Sequence, residues 1–263
     1  MTLERFFLVL FGITLETGIR YLLFAGAGWL LGYVYFQRRW WHRKIVQKLP
    51  HSADVRREIL HSLRTAVVFG TLGTLTIALS RAGWTRMYFR LGDHSRLWFW
   101  GSVVCAILIH DTWFYWTHRW MHRPGWFRWM HRAHHLSTNP SPWASYAFDP
   151  TEAVVQALIF PLVVLLIPIH PLAFALFMVW QLAFNVMGHT GYEFWPRWLM
   201  KSWLGCLINT PTNHAMHHEF IRGNYGLYFN YWDRLMGTNH ERYEERFEQV
   251  TSRPREESSS FPT

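Results

Sequence analysis

Residues 97–122 read Leu97-Trp-Phe-Trp-Gly-Ser-Val-Val-Cys-Ala-Ile-Leu-Ile-His-Asp-Thr-Trp-Phe-Tyr-Trp-Thr-His-Arg-Trp-Met-His122. A helix needs about 20 apolar residues to cross a bilayer, and 97–117 supplies them. The run then passes straight into His118 and His122, four positions apart. Imidazoles are thus expected where a membrane helix meets water. Outward from this stretch, further apolar segments occupy 5–36, 65–80 and 153–187. The chain is expected to be an all-α, polytopic integral membrane protein of about four transmembrane or hairpin helices, with a helical cap on the cytosolic side.

Composition supports that class. Half of the 263 residues are apolar and 18% are aromatic, with 17 Trp and 20 Phe, while only 16% are charged. Disordered, collagen-like and coiled-coil chains do not look like this. The formal charge of +9 comes from 23 Arg and three Lys. Beside so many Trp it is read as affinity for anionic lipid head groups, and no nucleic-acid partner is expected. Cys105 and Cys206 make no disulfide framework.

Residues 5–36 are read as a retained anchor, either one long tilted helix or an interfacial helix followed by a span from Tyr21. Glu16 and Arg20 stand four apart and can pair within it. The cluster Arg38, Arg39, Arg43, Lys44 and Lys48 follows and places 37–64 in the cytosol by the positive-inside rule. From Ala153 to Met187 the chain is apolar but broken at Ile167-Pro168-Ile169-His170-Pro171. Each half is short for a full crossing, so a hairpin is expected that enters and leaves on one side. Residues 118–150 and 188–250 then share the cytosolic face. The organisation is therefore 1–98 as anchor and connection, 99–250 as the domain that carries the histidine clusters, and 251–263 as a disordered tail.

The 16 histidines decide the function. They gather as His118 and His122, as His131, His134 and His135, and as His214, His217 and His218. Residues i and i+4 of a helix differ by about 40° and i and i+3 by about 60° the other way, so each group is expected to present one imidazole stripe that binds metal from one side. At this His frequency a His-x-x-His-His run arises by chance in roughly one such chain in twenty, and two are rarer still. Eight clustered imidazoles without thiolate exceed a structural zinc site, so two metals are implied, with iron, zinc and copper all suited to neutral nitrogen ligands. His189, closing the long apolar hairpin, is a ninth candidate. Asp111 is expected to fix an imidazole tautomer, with Tyr115 on nearly the same face; Asn185 is placed to hold a metal-bound water, and Asn213 to orient a ligand. His42, His51, His61, His94, His170 and His240 are read as interfacial or core residues, and the lone Glu58-x-x-His61 pair as coincidence. His110 is left out of the ligand set.

The pattern His118-Arg-Trp-Met-His122, His131-Arg-Ala-His134-His135 and His214-Ala-Met-His217-His218 resembles the membrane fatty acid hydroxylase and sterol desaturase superfamily. The likeness runs from about Phe99 to Thr238 and includes Asn224-Tyr225-Gly226, Trp232-Asp233-Arg234 and Gly237-Thr238. Two positions depart from it. Asp149-Pro150-Thr151-Glu152 stands where relatives commonly carry His-Pro-x-x-Glu, and Asn185 where acyl hydroxylases carry a further His. The resemblance implies two iron ions held by the nine histidines, O2 as co-substrate, and oxidation of a C–H bond in a sterol, isoprenoid or fatty-acyl lipid by hydroxylation or desaturation. Electrons are expected from a separate donor, a ferredoxin or cytochrome with its reductase, because no Gly-x-Gly-x-x-Gly, haem or iron–sulfur motif is present. An acidic donor is expected to meet Arg119, Arg123, Arg128 and Arg132. A bacterial inner membrane is favoured over endoplasmic reticulum by the Arg-over-Lys usage. The alternative is a membrane metal transporter or metal-storage protein, whose sites belong nearer the midplane.

Overall fold

The protein is described by a computed structural model, over residues 2–203 and 205–255. Among these residues four helical segments are long and apolar enough to cross a membrane. The first is α1 (Leu3–Trp29), prolonged by a π-helical stretch at Leu30–Tyr35. The others are α2 (Ser52–Arg81), α3 (Arg96–Met121) and α6 (Pro171–His189). Between α3 and α6 lie α4 (Pro150–Ala157) and α5 (Ile159–Leu166), and the cap contains α7 (Pro211–Phe220) and α8 (Tyr243–Ser252). No strand forms among the described residues, only two isolated bridges, Lys44 with Tyr192 and Ile208 with Phe229.

The anchor is thus one long helix, and Arg20 pairs with Glu16 at 3.3 Å within it. α1 crosses α2 closely at Gly70, where an added Cβ would stand 2.0 Å from Thr14 Oγ1 and 3.0 Å from Thr14 Cα. With lipid on the outside, such close backbone approach is what binds membrane helices together. α2 begins within the polar stretch, so Glu58, His61 and Ser62 ride on a helical extension of the span.

The proline turn forms as expected, but α6 is longer than its apolar half suggested. Pro171 opens it at the first helical position, where the missing N–H costs nothing, and it runs 19 residues to His189. His170 Nδ1 accepts from Leu172 N, and Trp98 Nε1 donates to Pro168 O at 2.9 Å, fastening the turn to the start of α3.

A short 3-10 helix, Pro142–Tyr146, lies inside the bundle. Its backbone is satisfied by side chains from three long helices. Tyr21 and Ser62 donate to Trp143 O at 2.9 and 3.0 Å, and Asn185 Nδ2 donates to Ser145 O at 2.6 Å. Glu58 accepts from Ser141 Oγ, and His61 Nδ1 meets Phe148 O. Irregular backbone inside such a bundle survives only with partners of this kind. The Glu-x-x-His pair of α2 is therefore a support for this loop.

The C-terminal helix packs on α7 through Met216, Tyr243 and Phe247. It continues to Ser252, with Thr251 buried and Arg253 donating to Lys44 O. The remainder of the expected tail, 256–263, lies outside the described residues.

Candidate metal centre

The nine predicted imidazoles converge. His118, His122, His131, His135 and His217 form one pocket, and His134, His189, His214 and His218 form a second. Within each pocket the candidate ligand atoms all lie within 4.8 Å of one another. The expectation that each sequence cluster binds from one side is corrected: both His-x-x-His-His clusters are split. His131 and His135 serve the first pocket and His134 the second; His214 and His218 serve the second and His217 the first.

Each ligand is delivered by a helix end. His118 lies in the last turn of α3 and His122 is its C-cap. His131 precedes the four-residue turn Arg132–His135, whose Ala133 N is held by Asp149 Oδ2 at 2.9 Å. His189 ends α6. α7 is anchored at its N-terminus twice: Thr210 accepts from Asn213 N, and Glu193 Oε2 accepts from Thr212 N at 3.0 Å. A buried carboxylate there also meets the positive end of the helix dipole.

Three of their outer nitrogens are fixed by backbone carbonyls. His118 Nδ1 lies 2.9 Å from Tyr225 O, His217 Nδ1 2.7 Å from Gly223 O, and His189 Nδ1 2.7 Å from Asn185 O. His131 Nδ1 lies 2.8 Å from Glu152 Oε1. A backbone carbonyl only accepts, so His118, His189 and His217 carry their proton on Nδ1 and turn an Nε2 lone pair inward.

That tautomer tests the pockets for a cation. The Nε2 lone pair of His118 faces His131 Nε2 at 2.9 Å, and that of His189 faces His214 Nε2 at 3.0 Å. His217 Nε2 is buried with no hydrogen-bond partner among the described residues. Facing lone pairs repel unless a positive ion lies between them. Two ligands at right angles around an ion about 2.1 Å away would be separated by about 3.0 Å, which matches the facing pairs at 2.9 to 3.3 Å. Burial, reinforced by repulsion among the rings, also pushes His122, His131, His134, His135, His214 and His218 below the ordinary imidazole range. Neutral imidazole is the metal-binding form. The donor set fits two transition-metal ions.

The side chains of the four expected supporting residues bond groups other than the site imidazoles. Asp111 holds no imidazole: its Oδ1 accepts from Tyr228 N at 2.9 Å and Phe229 N at 3.2 Å. It fixes the 225–229 segment, whose Tyr225 carbonyl in turn holds His118. Tyr115 OH bonds Thr238 Oγ1 and receives Arg119 Nη1, again fastening that segment. Asn185 gives its side-chain amide to Ser145 O, and only its backbone carbonyl reaches His189. Asn213 Nδ2 donates to Asn239 Oδ1 at 3.2 Å. His110, bonded to Tyr228 OH at 2.7 Å, stands outside both pockets.

Sequence reasoning missed Glu152, Glu193 and the carbonyls of Tyr225 and Gly223. Glu152 had a signal, the Asp-Pro-x-x-Glu run read only as a departure. The carbonyls had none, since no side chain announces them. Gly223 has φ 79°, and it follows Ile221 at φ 65°, a left-handed conformation that is a genuine outlier for a β-branched residue. This turn aims the carbonyl that holds His217.

A membrane bundle with two adjoining all-histidine pockets at the ends of its helices defines a class, the His-rich membrane metalloproteins. The fatty acid hydroxylase family model matches residues 103–238, and the chain belongs to that family. It is 30% identical over 240 residues to a Δ7-sterol 5(6)-desaturase of Aspergillus fumigatus, covering 83% of this chain and 71% of that one. A Δ7-sterol 5(6)-desaturase of Gibberella zeae is 26% identical, with 83% and 68% covered. Lathosterol oxidase of Mus musculus is 28% identical, with 70% of this chain and 61% of that one covered. The chain is sterol desaturase-like in sequence and spans about two-thirds of these relatives' length. No solved structure matches it.

Proposed function

We propose that the protein is a membrane oxidoreductase that uses O2 and two iron ions to oxidise a C–H bond of a sterol-like lipid, by desaturation or hydroxylation. The observation that carries this reading is the division of nine neutral imidazoles into neighbouring pockets of five and four. Five nitrogen donors in one pocket exceed the four of a closed zinc site and suit iron. Bound there, iron would supply the activation of O2 that an unactivated C–H bond requires.

The chain's own residues do the rest. His118, His122, His131, His135 and His217 would hold one ion, and His134, His189, His214 and His218 the other. Glu152 and the carbonyls of Tyr225, Gly223 and Asn185 keep the Nδ1 protons in place, so the inward nitrogens stay available. Phe114, packed on His118 with ring centroids 4.9 Å apart, and Phe148, packed on His134 at 5.4 Å, exclude water from the membrane side.

The basic segment 38–48 supports a cytosolic face for the site, and Arg-over-Lys usage supports a bacterial inner membrane. His122 is the one site imidazole that is only half-buried, and the exposed Arg123, Arg128 and Arg132 lie around it in sequence. This supports docking of an acidic ferredoxin or cytochrome there. Its electron-transfer rate should fall as salt rises; a rate indifferent to salt would remove that partner surface.

The experiment for the reaction is expression in a host with and without the protein, with and without O2, followed by lipid profiling and metal analysis. About two irons per chain and an O2-dependent lipid product, either gaining one oxygen or losing two hydrogens, are expected. Iron-free protein that still forms the product would refute the reading.

A further inference from the structure

On the membrane side of the two pockets the bundle encloses a chamber, lined in part by Phe69, His110, Phe114, Phe148, Gln156 and Asn185. Phe114 stands one helical turn before His118 on α3, and Asn185 one turn before His189 on α6, so the chamber lies directly beneath both pockets. Its water-accessible space is about 10 Å³, room for about one water molecule.

One wall group stands apart. Gln156, on α4, is 4% exposed, and neither its Oε1 nor its Nε2 has a hydrogen-bond partner. The other polar groups of the wall are engaged: Gln181 Oε1 accepts from Tyr146 OH, His110 pairs with Tyr228 OH, and Asn185 donates to Ser145 O. A buried primary amide that can both donate and accept therefore lines this chamber without a partner among the described residues.

We propose that Gln156 is a specificity-determining residue that receives a hydroxyl group of the lipid substrate. This rests on the oxidoreductase reading above. A hydroxyl satisfies both atoms of the amide. An analogue without the hydroxyl would leave the amide desolvated and unpaired, the circumstance in which binding sites reject an analogue most strongly. Access has a counterpart on the outer face of α3, a groove of about 600 Å³ lined by Leu108, Thr112, Trp113, Trp116 and Leu162. Groove and chamber lie on either side of the seam between α3 and α4–α5. Trp113 Nε1 closes that seam by donating to Val155 O at 3.1 Å, one residue before Gln156.

The test uses the purified full chain in nanodiscs, with lathosterol and its 3-deoxy hydrocarbon as probes. Equilibrium binding, turnover and iron content are measured for wild type, Gln156→Leu and Gln156→Met. Wild type should bind lathosterol at least about tenfold more tightly than the deoxy compound, and both variants should bind the two alike with iron content unchanged. A variant that keeps the preference, a wild type that shows none, or loss of iron in both variants would overturn the proposal. Oxidation without a Gln156-dependent preference would sink this inference and leave the reaction standing. A Gln156-dependent preference without oxidation would do the reverse.

Discussion

Glu152 Oε1 lies 2.8 Å from His131 Nδ1, and both side chains are almost wholly buried. The pair joins the start of α4 to the first pocket and sets which nitrogen of His131 points inward. Removing the carboxylate frees the ring to rotate. Glu152→Ala should therefore weaken metal binding by about 10- to 100-fold, measured by chelator competition, whereas Glu152→Gln, whose carbonyl still accepts, should lose much less. Equal affinity for Glu152→Ala and wild type would show that the contact orients nothing.

His134→Ala and His217→Ala each remove one donor, from the second and first pocket respectively. Both should abolish lipid product while the protein stays in the membrane fraction. Full turnover by either variant would mean that the ligand assignment is wrong.

Gly223 offers a subtler lesion. Its φ of 79° strains any L side chain, and an added Cβ would stand 2.6 Å from Thr238 O. Gly223→Ala must move the carbonyl that holds His217 Nδ1. A loss of metal affinity of about tenfold is expected, without touching any imidazole. Unchanged metal content and affinity would separate the turn from the site.

Acid should undo the metal-free protein early. Burial first, and repulsion from neighbouring imidazoles second, lowers the proton affinity of His131, His134, His135, His214 and His218 in the fold. The unfolded chain takes up protons near pH 6.5 that the folded chain refuses. The sign is that of a depressed folded value: stability is present above about pH 6.5 and is lost as the pH falls below it. Thermal melts of chelated protein should show a steep fall in Tm between about pH 7 and 5, and bound metal should lessen the slope until protons displace it. A flat profile would count against neutral buried imidazoles.

The class and the convergence of the nine imidazoles were legible for clear reasons. An apolar run of bilayer length is a physical signature, and imidazole clusters at helical spacing have few other uses. The partition of each cluster was not legible, because i+3 and i+4 stand about 100° apart around a helix and only the tertiary fold shows that the two pockets lie on either side of each stripe. Asp111 misled for a related reason. Its place seven residues before His118 fits an imidazole partner, but the backbone of 228–229, more than a hundred residues away in sequence, arrives first. Glu152 was visible as a letter and invisible as a contact, since only the tertiary fold brings α4 against His131.

The crossed allegiance of the two clusters has a consequence for how the centre fills. His134 and His217 each reach into the pocket opposite the one their neighbours serve, so an ion in either pocket tightens two segments that the other ion also needs. Loading should be cooperative, with protein holding a single ion scarce at half-saturation. Metal delivery to this protein would then behave as a switch between empty and paired.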